Sequence, residues 1–319
     1  MLGAIIGDII GSVYENIPKL PIRQTEQMTD DSFLTLAALN WMTDLDLSKF
    51  KYLFDKNKSH QNREFVLIKQ EIFNNAEKNL LKWYDIGIKE NINQNNLIPA
   101  FSPGFDNWVL AKNNKIISKI KYNSNTNGCL MRNSPISFIG HSKSLSLEHV
   151  LELTKIFCLT THTHEDSLHT TEIHSSLLYL IYSKVINSSN IKNILSKENS
   201  IITSLHPNLI SIKPLDFWIP KEKDVLDNPK LKFLWDSKNS LNIALSAIYY
   251  SKSFKETMDF CNATNMDTDT YCAIAGPIAE GLWGIDLINM GKGMKIINLI
   301  PEANQLINKT IKVHYFNII

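Results

Sequence analysis

Two short acidic segments, Thr29-Asp30-Asp31 and Asp267-Thr268-Asp269-Thr270, stand near opposite ends of a 319-residue chain, each directly ahead of an apolar stretch. Both read as helix starts, because Thr and Asp side chains accept hydrogen bonds from the free N–H groups of a first turn. The helices that follow supply the constraint. Residues 32–42 (SFLTLAALNWM) are apolar on nearly every side and therefore belong inside the protein. An acidic cap on a surface helix is solvated, but at the head of a core helix it is costly without a counter-ion. If folding joins the two segments, Asp30, Asp31, Asp267 and Asp269 share one small volume, and they cannot all stay ionised unless a cation neutralises them. Donors that are all oxygen favour Mg²⁺, Mn²⁺ or Ca²⁺ over zinc or copper. The chain thus reads as a candidate divalent-metal enzyme.

Helical periodicity dominates the rest. Over residues 2–13 the apolar positions fall at 2, 5, 6, 9, 10 and 13, the pattern of an amphipathic helix. Gly3, Gly7 and Gly11 form a smooth edge on it for another backbone, with Asp8, Ser12 and Glu15 as the adjacent polar stripe. Further helices are expected at 147–159, 172–186, 241–250, 255–263 and 270–283, with a His-rich turn, THTHEDSLH, before the second of these. No stretch alternates with period two between turn residues, so no strand is expected. Residues 91–126 and 187–240, rich in polar residues and punctuated by proline, read as surface insertions in a single all-α domain spanning 1–319.

Composition removes several classes of function. Lysine and arginine number 33 against 32 acids, which gives no basic surface for nucleic acid or acidic lipid. No apolar run reaches the ~18–20 residues of a membrane span. The first residues, with acids inside their apolar stretch and no basic leader, do not read as an export signal. Cys129, Cys158, Cys261 and Cys272 show no CxxC spacing and read as buried free thiols of a reducing compartment. His162, His164, His169 and His174 lack the spacing of a zinc site. The absence of any His-Asp dipeptide removes the His-Asp class of two-metal phosphohydrolases. Asn127-Gly128, ahead of Met131-Arg132, is the kind of turn at which a ligand reaches backbone N–H groups.

Taken in order, these segments resemble the ADP-ribosylglycohydrolase family, which includes the dinitrogenase-reductase-activating glycohydrolases and the vertebrate ADP-ribosylhydrolases. The resemblance rests on Gly3 through Ser12 with Glu15, on Thr29-Asp30-Asp31-Ser32, on Asn127-Gly128 with Met131-Arg132, on Thr161-His162, and on Asp267-Thr268-Asp269-Thr270 with Gly276 and Gly281 behind. It implies a compact all-α domain of orthogonal helices around two Mg²⁺ or Mn²⁺ ions. Thr29, Asp30 and Asp31 would bind metal from one side, and Asp267, Asp269 and Thr270 from the other. Glu15 would be the catalytic carboxylate, with Asp31 beside it. Asn127, Gly128 and His162 would line a channel for ADP-ribose.

The implied activity is metal-dependent removal of ADP-ribose from a mono-ADP-ribosylated protein, arginine-linked by expectation, with free ADP-ribose as product. The alternatives are a serine-linked or small conjugate, or a member that binds ADP-ribose without cutting it. The expected setting is a cytoplasmic monomer, or an effector that a bacterium delivers into a host cell. The chain also departs from the family pattern. Asn265-Met266 stands where Gly-Gly is frequent, and Thr126 where glycine is. Ser124, Asn125 and Thr126 stand where some members carry an acid, Ser32 replaces a threonine, and His164-Glu165-Asp166-Ser167 replaces His-Pro-Glu-Gly.

Overall fold

A computed structural model describes residues 1–15, 23–46, 63–93, 101–114, 123–196, 210–219 and 235–314. Among these residues there are fourteen α-helices and no strand, which is the all-α class expected. In chain order they are α1 (Leu2–Gly11), α2 (Asp30–Asp44), α3 (Arg63–Asn93), α4 (Pro103–Asn113), α5 (Ser134–Ser142), α6 (Leu147–Cys158) and α7 (Glu165–Tyr182), followed by α8 (Ile191–Ser196), α9 (Leu215–Trp218), α10 (Ser237–Tyr250), α11 (Phe254–Ala263), α12 (Thr268–Trp283), α13 (Leu287–Ile297) and α14 (Pro301–His314). None is long and apolar enough to cross a membrane.

The centre of the fold is the pairing of α1 with α12, which joins the two ends of the chain. Glycine makes it close. A β-carbon on Gly3 would run into the carbonyl of Gly276, and one on Gly7 into that of Cys272, while one on Gly11 would lie 2.5 Å from the carbonyl oxygen of Thr268. Backbone therefore packs on backbone, and the start of α12 is drawn to the end of α1, where Thr268 Oγ1 donates to Gly11 O at 2.8 Å. Gly7→Ala should cost about 2 kcal/mol or more, because backbone on both sides must shift to admit the methyl group. Gly291→Ala, in α13 with open space around it, should instead be neutral or slightly stabilising. Urea denaturation of both variants checks the contrast.

Helix α2 is buried on all sides, as its composition demands, between α1, α3, α5 and α12. Its long partner α3 buries Ile72, Ala76, Leu80 and Trp83, a helical stripe inside a Lys- and Asn-rich sequence that hid it. Helices α4, α5, α13 and α14 were likewise not expected from the sequence.

Four expectations need correction. The N-terminal helix ends at Gly11 rather than residue 13, with Ser12 Oγ turned back to Ile9 O at 2.8 Å. Asp8 and Glu15 are therefore not one helical stripe, and Asp8 is fully buried. The His-rich turn is mostly helix: α7 begins at Glu165, where the His164 ring accepts from Asp166 N at 3.1 Å. Within 91–126, α4 buries Phe105, Trp108 and Val109 instead of lying on the surface, because these residues recur at helical spacing. Within 187–240, α8 and α9 are helical, while 197–209 and 220–234 lie outside the described residues. All four cysteines are free and buried, as read.

Residues Asn265 and Met266 occupy the position where the family pattern has Gly-Gly. Asn265 follows the end of α11 with φ of 56°, in the left-handed region that glycine enters freely and asparagine tolerates best among the other residues. Met266 is buried. Asn265→Gly should be nearly neutral, whereas Asn265→Val should cost roughly 1–2 kcal/mol in a thermal melt, since a β-branched side chain is strained there.

Candidate active site

The N-termini of α2 and α12 converge, and with them the two acidic segments. Thr270 Oγ1 donates to Asp31 Oδ2 at 3.2 Å, closing the distance that the sequence left open. Carboxylate oxygens of Asp8, Asp31 and Asp269 lie within 4.8 Å of one another, and so do those of Glu15, Asp267 and Asp269. Asp269 belongs to both groups. Two helix N-termini aim their partial positive charge at this volume, which favours anionic side chains there.

Asp8 has a different task from its neighbours. It accepts from Thr29 N at 2.9 Å, from Thr29 Oγ1 at 2.6 Å, from Ser32 N at 3.1 Å and from Ser32 Oγ. It therefore caps α2 from across the fold, while Thr29 Oγ1 caps it locally by accepting from Asp31 N at 3.3 Å. Both Asp8 oxygens are thus engaged, which makes Asp8 a poorer cation ligand than its proximity suggests. Asp31 is the opposite case, because its Oδ1 is buried and has no partner among the described residues. An orphaned buried carboxylate oxygen in an all-oxygen site fits a hard divalent cation.

The electrostatics point the same way. Burial, then the charge of Asp269, raises Asp8 to about 7 and Asp267 to about 8. The same two causes push Asp30 and Asp31 well above the usual carboxylate range. Glu15 is raised to about 10 by burial and Asp269, with Arg23 opposing. Arg23, which sequence reasoning missed, ion-pairs with Glu15 and lies 3.3 Å from Asp269. It offsets part of the negative charge, and its position in a polar connecting segment carried no signal of that role.

The other expected residues divide into two groups. The amide of Asn127 donates to Asp267 Oδ2 at 2.7 Å and to Ser240 Oγ at 2.9 Å, so it orients an acid of the cluster. Gly128 and His162 line an open cleft, about 50 Å³ of it enclosed, that Asp30 also borders. Phe105 and Trp108 form an aromatic wall there, stacked with ring centroids 5.2 Å apart. Arg132, Thr161 and Thr126 complete the far side. The strap that carries Thr126 and Asn127 is fixed by Asn127 N donating to Trp235 O at 3.0 Å and Ser237 N to Asn125 O at 2.8 Å. The ring of His174 is fully buried, with Nδ1 2.8 Å from Asn133 Oδ1 and Nε2 2.9 Å from Ile274 O, so it belongs to the core.

A family model described as ADP-ribosylglycohydrolase matches residues 1–290. Among solved structures, one titled ADP-ribosylglycohydrolase-related protein complex aligns with a TM-score of 0.54 at 16% identity, covering 96% of this chain and 93% of that one. At that identity the likeness concerns the fold. No curated protein matches the chain.

Proposed function

This chain belongs to the ADP-ribosylglycohydrolase family, hydrolases of ADP-ribose conjugates, and we propose that it frees ADP-ribose from modified protein side chains, arginine foremost, with two Mg²⁺ or Mn²⁺ ions held by the acidic cluster. The observation that supports this reading is that Asp30, whose carboxyl feels the charges of Asp269 and Asp8, also borders a cleft with an aromatic wall and a donor-rich end. Such a cleft suits a ligand with an aromatic base, a negatively charged middle and a sugar.

Asp31, with its free Oδ1, and Asp267 and Asp269 are the principal ligands, with the Thr29 and Thr270 hydroxyls beside them and Asp30 at the cleft edge. Bound cations would supply orientation of the ribose hydroxyls and stabilisation of charge shifting onto the sugar. The protein's own part is to place and ionise its carboxylates. Asn127 holds Asp267 in position, and Thr270 N holds Asp269 Oδ1 at 2.9 Å. Glu15 is the general base for the attacking water, with Asp31 as the second catalytic carboxylate. Burial and the charge of Asp269 disfavour the ionised form of Glu15, and the Arg23 guanidinium opposes them. Neutralising the charge on Asp269 and Asp267 would remove the repulsive part of that rise and favour the ionised base.

The test is release of free ADP-ribose from arginine- and serine-modified peptides, with Mg²⁺ and with chelator. Faster release from the arginine peptide, lost on chelation, supports the reading. Faster release from serine would reassign the linkage. Tight ADP-ribose binding with no turnover of either peptide would make the chain a binding protein.

A further inference from the structure

We propose that Arg132, acting through Thr161 and His162, turns Thr126 into a hydrogen-bond donor aimed into the cleft, so that this end selects a phosphate oxygen. The proposal rests on the ADP-ribose reading above and adds to it the residues that recognise the diphosphate.

Arg132 is fully buried, and its guanidinium lies 6.0 Å from the Phe105 ring centroid and 5.3 Å from that of Phe157. Among the described residues no carboxylate pairs with it. Its Nη2 donates to Thr161 Oγ1 at 2.5 Å, while Nε and Nη1 have no partner among the described residues. A guanidinium can only donate, so the Thr161 oxygen must accept from it. The proposed relay has the Thr161 hydroxyl donate its proton to His162 Nδ1, 2.8 Å away. With Nδ1 accepting, the proton of the neutral ring sits on Nε2, which lies 3.0 Å from Thr126 Oγ1. Thr126 also accepts from Ser124 Oγ at 2.9 Å. Its own proton is left for the cleft, which Thr126 lines.

The cation at the head of the relay favours this direction at each link, because a hydroxyl that accepts from a guanidinium is a better donor to the next acceptor. Donors aligned head to tail polarise one another, and low local dielectric strengthens the effect. The ring stays neutral because burial, and then the charge of Arg132, lower His162 to about 3. Gly128 lets the ring lie against the chain, since a β-carbon there would sit 3.2 Å from His162 Cε1. A buried cation with unpartnered N–H groups and a polarised hydroxyl at the same edge of the cleft call for an anionic acceptor rather than a sugar hydroxyl. Arg132 is thus a positioning residue, and Thr126 makes the contact.

Two readouts test this. Nitrogen-15 NMR of the ligand-free protein, with the His162 signals assigned by their loss in His162→Gln, should show a neutral Nε2–H ring from about pH 5 upward. Thr161→Ser should preserve that tautomer, and Thr161→Val should lose it. A ring protonated at Nδ1 in the unmodified protein overturns the relay, whether or not Thr161→Val folds. By calorimetry, Thr126→Val should weaken both ADP-ribose and ADP roughly tenfold, the size of one lost hydrogen bond to a charged group, and Thr126→Ser should restore both. Undiminished affinity in Thr126→Val overturns the donor role. Failure of the unmodified protein to bind ADP-ribose would refute the functional reading instead, with the NMR result still deciding the relay.

Discussion

Asp269→Asn should lower metal-dependent release of ADP-ribose by about a thousandfold or more while leaving the protein folded. No other carboxylate belongs to both acidic triads, so its charge faces every position a cation could take among them. It is also the leading neighbouring charge acting on Asp8, Glu15, Asp30, Asp31 and Asp267. Losing it removes a ligand oxygen and changes the protonation of the rest together. Such a loss, on the order of 4 kcal/mol in the barrier, is the scale expected when transition-state charge loses a fixed partner. Stability should not suffer, because the substitution removes one of several crowded like charges and keeps the shape of the side chain. Three measurements decide it: chromatography of released ADP-ribose, Mn²⁺ binding by calorimetry, and a thermal melt. Retained turnover with retained Mn²⁺ affinity would remove Asp269 from the centre of the mechanism. Asp259→Asn, on an exposed face of α11 beside Lys255, should change none of the three.

The parts of this site that were legible in the sequence are those whose chemistry is local. Thr29-Asp30-Asp31 and Asp267-x-Asp269-Thr270 announce themselves as helix starts too acidic for the core helices behind them, and the fold brings both to one point. Gly3, Gly7 and Gly11 announce a backbone contact without naming its partner. That partner, α12, becomes identifiable only in three dimensions, where Gly276 answers Gly3. What escaped were residues whose roles depend on distant neighbours. Asp8 looked like one member of a polar stripe with Ser12 and Glu15 and is the buried cap of a helix beginning more than twenty residues later. Asn127 looked like a ligand contact, and its amide has the further task of reaching Asp267 and Ser240. Arg23 and Phe105 sit in stretches whose polar composition masked them. The helical stripe of α4 was there to be read, but Asn, Pro and Gly around it dominated the impression.

Without metal, the protein should lose stability as pH rises from about 4 to about 8, the reverse of common acid denaturation. The sign follows from proton counts. In the unfolded chain Asp8 and Asp267 give up their protons near 3.8, whereas in the folded protein they hold them up to about 7 and about 8. Over that window the folded state binds more protons, so unfolding is favoured as protons become scarce. Stability from these groups is complete below the lower value and gone once pH passes the upper ones. Glu15, held up to about 10, extends the trend to alkaline pH. One group displaced by about three units corresponds to roughly 4 kcal/mol. The groups titrate together, so the cluster is expected to give a few kcal/mol in all, or about five degrees in Tm for a chain this size. Millimolar Mg²⁺ should flatten or reverse the slope, because cations bind only ionised carboxylates and bind them more tightly as pH rises. Melting curves at about pH 5 and about pH 8, with chelator and with Mg²⁺, make the comparison. Asp267→Asn should shrink the chelator slope by removing one contributor. A melting temperature that climbs with pH in chelator would mean that the carboxylates are already compensated without metal, with Arg23 the strongest candidate for that compensation.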